Sequence, residues 1–125
     1  MLLRCDLTGA DLRAANLHHT TLEKAKLARA LLAGAYLAVA KLVEVDLSGA
    51  DLMGANLIIA TLIRPTLEGA KLTKASLDRT SFIEVRSAAG LDLSGSHLRQ
   101  TVMLKADLTG ASFAGATVHP LKLVK

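Results

Sequence analysis

The 125-residue chain is long enough to bury one continuous core and too short for two sizeable ones, so a single domain over residues 1–125 is expected. Hydrophobic residues make up 51% of it but aromatics only 2%, which excludes an ordinary mixed core and requires an interior of Ala, Leu, Val and Ile. Fifteen Lys and Arg against eleven Asp and Glu give a net charge of +4, a mild preference for anionic partners, and the lone Cys5 excludes an internal disulfide and fits a reducing compartment.

Leu recurs at every fifth position from Leu2, through Leu7, Leu12 and Leu17, to Leu77, followed by Phe82. Two residues before each stands a smaller one, from Cys5, Ala10, Ala15 and Thr20 through Val45 and Pro65 to Ala75 and Thr80. The unit is therefore small-x-large-x-x. An α-helix cannot use it, because 3.6 residues per turn would carry a five-residue repeat around every side of the rod. An extended three-residue segment can, since its first and third side chains share a face; the remaining two residues then turn a corner. Gly9, Gly34, Gly49, Gly54, Gly69, Gly95, Gly110 and Gly115 stand at those corners, where a tight turn needs positive φ. The spacing continues through Leu93, Leu98, Met103, Leu108, Phe113, Val118 and Leu123, displaced by one residue. The slip is placed near 87–92, in the run Ser87-Ala88-Ala89-Gly90, with Ser87 taken as a large inward position and Gly90 as a residue that permits a bulge.

Ala10-Asp11-Leu12, Ala15-Asn16-Leu17, Ala50-Asp51-Leu52, Ala55-Asn56-Leu57 and Ala106-Asp107-Leu108 resemble the Ala-Asp/Asn-Leu-x-x motif of pentapeptide-repeat proteins. The resemblance runs essentially the length of the chain. It implies an all-β fold, a right-handed quadrilateral β-helix with four repeats, hence twenty residues, in each of about six coils. At roughly 4.8 Å per coil the rod would be about 30 Å long. Pro65 and Ser87 depart from the motif and mark expected local irregularities.

Residues twenty apart should then be vertical neighbours. One corner column reads Lys24, Glu44, Arg64, Glu84 and, after the slip, Lys105, with strictly alternating sign. A shorter ladder, Asp6, Lys26 and Asp46, stands on the adjacent face. Such alternation supports four repeats per coil independently of the resemblance. Beside the first ladder run Glu23, Val43, Ile63, Ile83, Leu104 and Val124, read as an outward apolar stripe, and Tyr36, Val39, Ile58 and Ile59 are predicted outward around the corner. Stacking of β-branched residues within the sheet explains such a stripe as well as a docking surface does.

No constellation for catalysis or metal binding stands out. His18, His19, His97 and His119 map to one face but in separate coils, roughly 20 Å apart. Cys5 is placed as a buried structural thiol, and Asp6 and Asp11 as solvated motif residues on successive sides. No cofactor is expected. The apolar stretches 30–40 and 52–63 fall short of the roughly 20 residues of a membrane span, and Arg4 and Asp6 interrupt any export signal, so the reading is of a soluble cytoplasmic protein without membrane contact.

The expected function is a non-catalytic protein-interaction or structural scaffold module, with a protein partner or self-association, as a homodimer or end to end, since no segment is left to cap either end. The resemblance implies an alternative, a DNA-mimicking protein that occupies DNA gyrase and protects it from quinolones, but mimicry demands a dense anionic surface and the net charge is +4. Direct nucleic-acid binding is disfavoured because only Tyr36 is an aromatic outside the core.

Overall fold

A computed structural model of the chain describes residues 1–118 and 120–124. Seven short strands form one parallel sheet in sequence order: β1 (Leu2–Leu3), β2 (Thr21–Glu23), β3 (Lys41–Val43), β4 (Thr61–Ile63), β5 (Ser81–Ile83), β6 (Thr101–Leu104) and β7 (Leu121–Val124). Neighbouring strands pair at a spacing of twenty residues, Leu22 with Leu42 and Leu42 with Leu62, so each coil returns to its start after four repeats. The result is a right-handed four-sided β-solenoid of about six turns. Side 1 carries the strands. Sides 2, 3 and 4 follow in chain order, and their central outward residues form isolated parallel bridges, such as Lys26 with Asp46, Asp51 with Lys71, and Tyr36 with Asn56.

Two sets of backbone bonds build each side. Leu32 N–H donates to Asp51 O of the next coil at 2.7 Å, while Asp51 N–H donates back to Ala30 O at 3.0 Å. The corners after sides 2, 3 and 4 close locally, as Ala30 N–H donates to Leu27 O, Ala35 N–H to Leu32 O and Ala40 N–H to Leu37 O, all within 3.1 Å. The residue before each of these acceptor-facing N–H groups has positive φ, for example 65° at Gly49 and 57° at Arg29. The corner after side 1 differs. There the inward residue's N–H has no hydrogen-bond partner among the described residues, and the preceding Lys24, Glu44 and Arg64 bond instead to the coil above. Pro65 occupies this corner position, so its missing N–H removes no bond, but its carbonyl has no partner among the described residues, unlike those of Ala25 and Val45 in the coils below, so the irregularity expected there is present.

The large inward residues of the middle coils are almost wholly shielded: Leu22, Leu32, Leu42, Leu52, Leu62 and Leu77 are all at most 1% exposed. Ala30, Ala35, Ala50, Ala55, Ala60 and Ala70, at the small inward positions, are all 0% exposed. Leu2, Leu7, Leu12 and Leu17 of the first coil are half-buried, as are Leu108 and Phe113 of the last. Buried hydroxyls are satisfied internally: Thr80 Oγ1 donates to Leu57 O at 2.6 Å and Thr101 Oγ1 to Leu77 O at 2.7 Å.

The pairing interval rises from twenty to twenty-one between β5 and β6, where Phe82 faces Met103. Ala88 is 1% exposed and points inward, whereas Ser87 is half-buried; the expected inward role of Ser87 is thus corrected. Ser87 Oγ accepts the N–H of Ala89, as an outward motif residue does, which makes Arg86 the extra residue. Gly90 is not the bulge but an ordinary corner, stacked on Gly69, where a Cβ would come within 3.4 Å of the Gly69 Cα. A size exchange repairs the core nearby, because Ala88 takes the large position and Leu91, 2% exposed, the small one that follows.

Burial of this kind sets a gradient of sensitivity along the rod. Leu52→Ala should cost about 3 kcal/mol in chemical denaturation, and Leu12→Ala, at a half-buried site, distinctly less. Equal losses at the two positions would contradict a core centred on the middle coils.

Candidate interaction surface

The predicted charge column gathers into a central triad at the corner between sides 1 and 2. Arg64 reaches down to Glu44, with Nη2 and Nε at 3.0 and 3.2 Å from Oε1, and up to Glu84, with Nη1 at 3.5 Å from Oε2. The bond to Glu44 is the main cause that raises the Arg64 pKa further above its ordinary value. Lys24 and Lys105 lie in the same column, but no ion pair joins them to it among the described residues. On side 2, Asp6 and Asp46 flank Lys26 as backbone bridge partners.

The predicted stripe is less open than its outward register implies. Val43, Ile63, Ile83 and Leu104 pair in succession across β3 to β6, with Val124 above them in β7, and all five are half-buried. Apart from the terminal coils, where Met1, Leu3 and Leu123 are exposed, the freely exposed apolar surface lies on side 4 and its two corners. Tyr36 is 40% and Ile59 45% exposed, with half-buried Val39 and Ile58 beside them. Met53 (46%) and Leu31 (38%) also open to solvent on side 3 and its corner toward side 4. Neither was singled out above, although the same count of outward positions places both. His18 packs its ring against Tyr36 at 5.1 Å and against His19 at 4.2 Å, extending the patch into the first coil. Toward the fifth coil side 4 turns ionic, where Arg99 Nε approaches Asp78 Oδ2 at 3.9 Å.

Like His19 and the other corner residues, two β-branched residues of this patch adopt the left-handed backbone. Val39 has φ of 61° and Ile59 of 62°, one above the other. Branching at Cβ makes the left-handed region costly for both, and Gly occupies the equivalent corner elsewhere, at Gly34 and Gly54. Both aliphatic groups are thus held outward against local preference.

The histidines do not converge. His97 stands on side 4 between Ser76 and Thr117, and His119 lies outside the described residues. Among the described residues no group of His, Cys, Asp or Glu could hold a metal ion. Cys5 is half-buried rather than enclosed, its thiol 3.8 Å from Leu3 O. No helix of the described residues is long and apolar enough to cross a membrane.

The motif carboxylates have a structural task. An outward Asp or Asn accepts the N–H two residues on and so fixes the corner: Asp51 Oδ1 binds Met53 N–H at 3.0 Å, Asn56 Oδ1 binds Ile58 N–H at 3.0 Å, and Asp11, Asn16, Asp46, Asp92 and Asp107 repeat the contact. This geometry recurs in a sequence profile described as pentapeptide repeats, in 8 copies, which matches residues 1–29, 22–57 and 89–119. The chain belongs to the pentapeptide-repeat family. The stretch between the matches, 58–88, contains Pro65 and the extra Arg86.

No curated protein matches the chain. Among solved structures, it is similar to HetL, a pentapeptide-repeat protein involved in heterocyst differentiation regulation from the cyanobacterium Nostoc sp. strain PCC 7120, at 30% identity and a TM-score of 0.36; the match covers 94% of this chain and 61% of HetL. It is also similar to QnrB1, a plasmid-mediated fluoroquinolone resistance protein, at 16% identity and a TM-score of 0.49, covering 97% and 80% of the two chains. A third likeness is Rfr23 from the cyanobacterium Cyanothece 51142, at 21% identity and a TM-score of 0.35, covering 98% and 88%. The chain therefore spans less than two thirds of HetL's length.

Corner hydrogen bonds make this pentapeptide-repeat protein sensitive to acid. The side chain and N–H of Thr8 lower the Asp6 pKa, those of Ser94 lower Asp92, the N–H and side chain of Thr109 lower Asp107, and the Arg13 guanidinium at 2.7 Å takes Asp11 down to about 2. A carboxylate depressed in the fold favours folding above its unfolded value, here 3.8, and loses that contribution as pH falls toward the folded value. The melting temperature should thus stay level from neutral pH to about 5 and fall between about 4 and 2. A thermal midpoint unchanged across that acid range would show that the corner carboxylates do not hold the coils.

Proposed function

We propose that this pentapeptide-repeat protein is a non-catalytic docking module whose contact surface centres on Tyr36, Val39, Ile58 and Ile59 and continues over the half-buried Val43, Ile63, Ile83, Leu104 and Val124. One observation carries the reading: Val39 and Ile59 keep branched side chains at positive φ on the surface, at corners where Gly or Asn would relieve strain and remove exposed apolar area together. Backbone strain retained at an exposed apolar position is explained by a contact made there. The patch is flat and rests on a rigid, internally bonded wall, which favours a preformed protein surface, a partner or a second copy, over a flexible ligand.

The gyrase-binding alternative finds no support in the charge distribution. The best-ordered column alternates Glu, Arg and Glu, and side 4 offers neutral residues in the first three coils, neither resembling a run of phosphates.

The test compares wild type with Tyr36→Asp/Ile59→Asp by light scattering and by crosslinked affinity capture, with circular dichroism as the check on folding. Wild type should exceed the monomer mass or retain a specific protein, and the folded double variant should lose either property. A wild type that is monomeric and captures nothing specific, or a double variant that behaves identically, sinks the reading. Ile59→Gly should weaken capture while leaving stability unchanged or raising it by about 1 kcal/mol, as the left-handed cost is removed.

A further inference from the structure

Among the described residues the inter-coil ladder on side 2 opens around the fifth coil. In the intact coils the central outward residue donates downward and the next inward residue upward: Lys26 N–H to Cys5 O at 2.8 Å and Leu27 N–H to Asp46 O at 2.8 Å, then Asp46 N–H to Ala25 O at 3.1 Å and Leu47 N–H to Thr66 O at 2.9 Å. Between the fourth and fifth coils both bonds are missing. Leu67 N–H, which should donate upward, has no partner among the described residues, nor do Ser87 N–H and Pro65 C=O, the groups that would have met from above and below. One coil later the downward bond resumes, with Asp107 N–H bonded to Val85 O at 2.8 Å, while Ala88 N–H, the upward donor, has no partner among the described residues. Leu67 itself is 1% exposed, so its N–H is a donor out of bulk water, and such groups are satisfied by an ordered water or a ligand.

The gap is a groove of about 410 Å³ lined by Pro65, Thr66, Glu68, Arg86 and Ser87, together with the Glu44–Arg64 ion pair. Arg64 is engaged by two glutamates, which leaves Arg86 and Glu68 as one cation and one anion without an ion-pair partner among the described residues. The groove thus offers both kinds of group in its lining: the Arg86 guanidinium and the Ser87 N–H suit a carboxylate, and the Glu68 carboxylate and the Pro65 carbonyl suit an ammonium group. Its volume lies at the small end of ligand sites. We propose that the bulge at Arg86 forms a binding site for a small zwitterion that carries a carboxylate and an ammonium group a few ångströms apart, that is, a free α-amino acid or a dipeptide. The carboxylate takes the Arg86 guanidinium and the Ser87 N–H, and the ammonium group takes Glu68 and the Pro65 carbonyl. The site is independent of the surface around Tyr36.

The test titrates ¹⁵N-labelled protein with glycine, glycylglycine, acetate and methylammonium, and follows the amide signals of Leu67, Arg86, Ser87 and Ala88. Glycine or glycylglycine should shift these signals saturably, with a dissociation constant of about 1 mM, and acetate and methylammonium at least tenfold more weakly. Arg86→Gln retains the bulge and should weaken the glycine response at least fivefold. Deletion of Arg86 restores the twenty-residue coil, so the response should vanish while the melting temperature rises as the two ladder bonds form. If the deletion variant does not fold, Arg86→Gln decides alone. The proposal is overturned if neither zwitterion gives a saturable shift, if acetate binds as well as glycine, or if Arg86→Gln responds as wild type.

Discussion

Two side chains from each short side meet in the centre of a rod too narrow for two large ones, and this steric limit governs everything else. Leu at one inward position requires Ala, or something near its size, at the other, and the middle coils meet the requirement with Leu at most 2% and Ala at most 1% exposed. Where the chain breaks the rule it breaks it twice, in opposite directions. Ala88 stands where Leu is due, and Leu91 fills the next small position, so the core volume is conserved across one corner. A core assembled in this way has almost no aromatic surface to contribute, and its cohesion comes from many aliphatic contacts of about 1.5–3 kcal/mol per buried large side chain. The ladder of inter-coil bonds then needs every side at the same height, which makes a twenty-residue interval a second condition on the sequence.

That condition explains how much of the fold was legible beforehand. A period of five with Leu and Ala at fixed offsets has one sterically sensible solution, and the charge column over Lys24, Glu44, Arg64, Glu84 and Lys105 reports the coil length through the sign of each residue. The reason for Asp or Asn in the motif was not legible, because a side chain that caps the N–H two residues on looks, in sequence, like one that faces water. The cause of the irregularity at Pro65 was not legible either. Its corner is the one whose inward N–H has no partner among the described residues, so the proline itself removes no bond, and the ladder opens there because of the residue inserted in the next coil. Ser87 was misjudged because counting by fives cannot tell which of two adjacent residues is the insertion. The hydrogen bond from Ala89 N–H to Ser87 Oγ settles that in favour of Arg86.

Legibility of the surface was poorer, since register gives direction but not exposure. Val43, Ile63 and Ile83 do face out, yet they stack on one another and on Leu104 in the same parallel sheet, and this mutual stacking covers much of the column. Ile59 has the same outward register and remains 45% exposed because it sits at a corner, where the chain turns away and its neighbours diverge. Corners are therefore the places where this fold can present bulk to a partner, and the left-handed backbone that corners demand is what makes branched residues there conspicuous. Lys24 and Lys105 show the converse: both sit in the right column, but the ion pairs form only around Arg64, whose forked guanidinium reaches a carboxylate on each side.

A solenoid with a complete ladder leaves few backbone groups unpaired, chiefly the inward N–H at the corner after side 1, and no space between its coils, so its faces offer mainly side chains. Insertion of one residue changes that locally without disturbing the coils on either side, because the core is repaired by the Ala88 and Leu91 exchange while the bridges Lys71 with Asp92 and Ser76 with His97 re-establish the register within one side. The disturbance is thereby confined to side 2, and its unmet donors and acceptor remain at fixed positions in a rigid frame. Rigidity matters here, since a flexible bulge would close on its own polar groups, whereas one clamped by intact coils above and below cannot. The same regularity that empties the rod of clefts is what gives a single irregularity a defined shape.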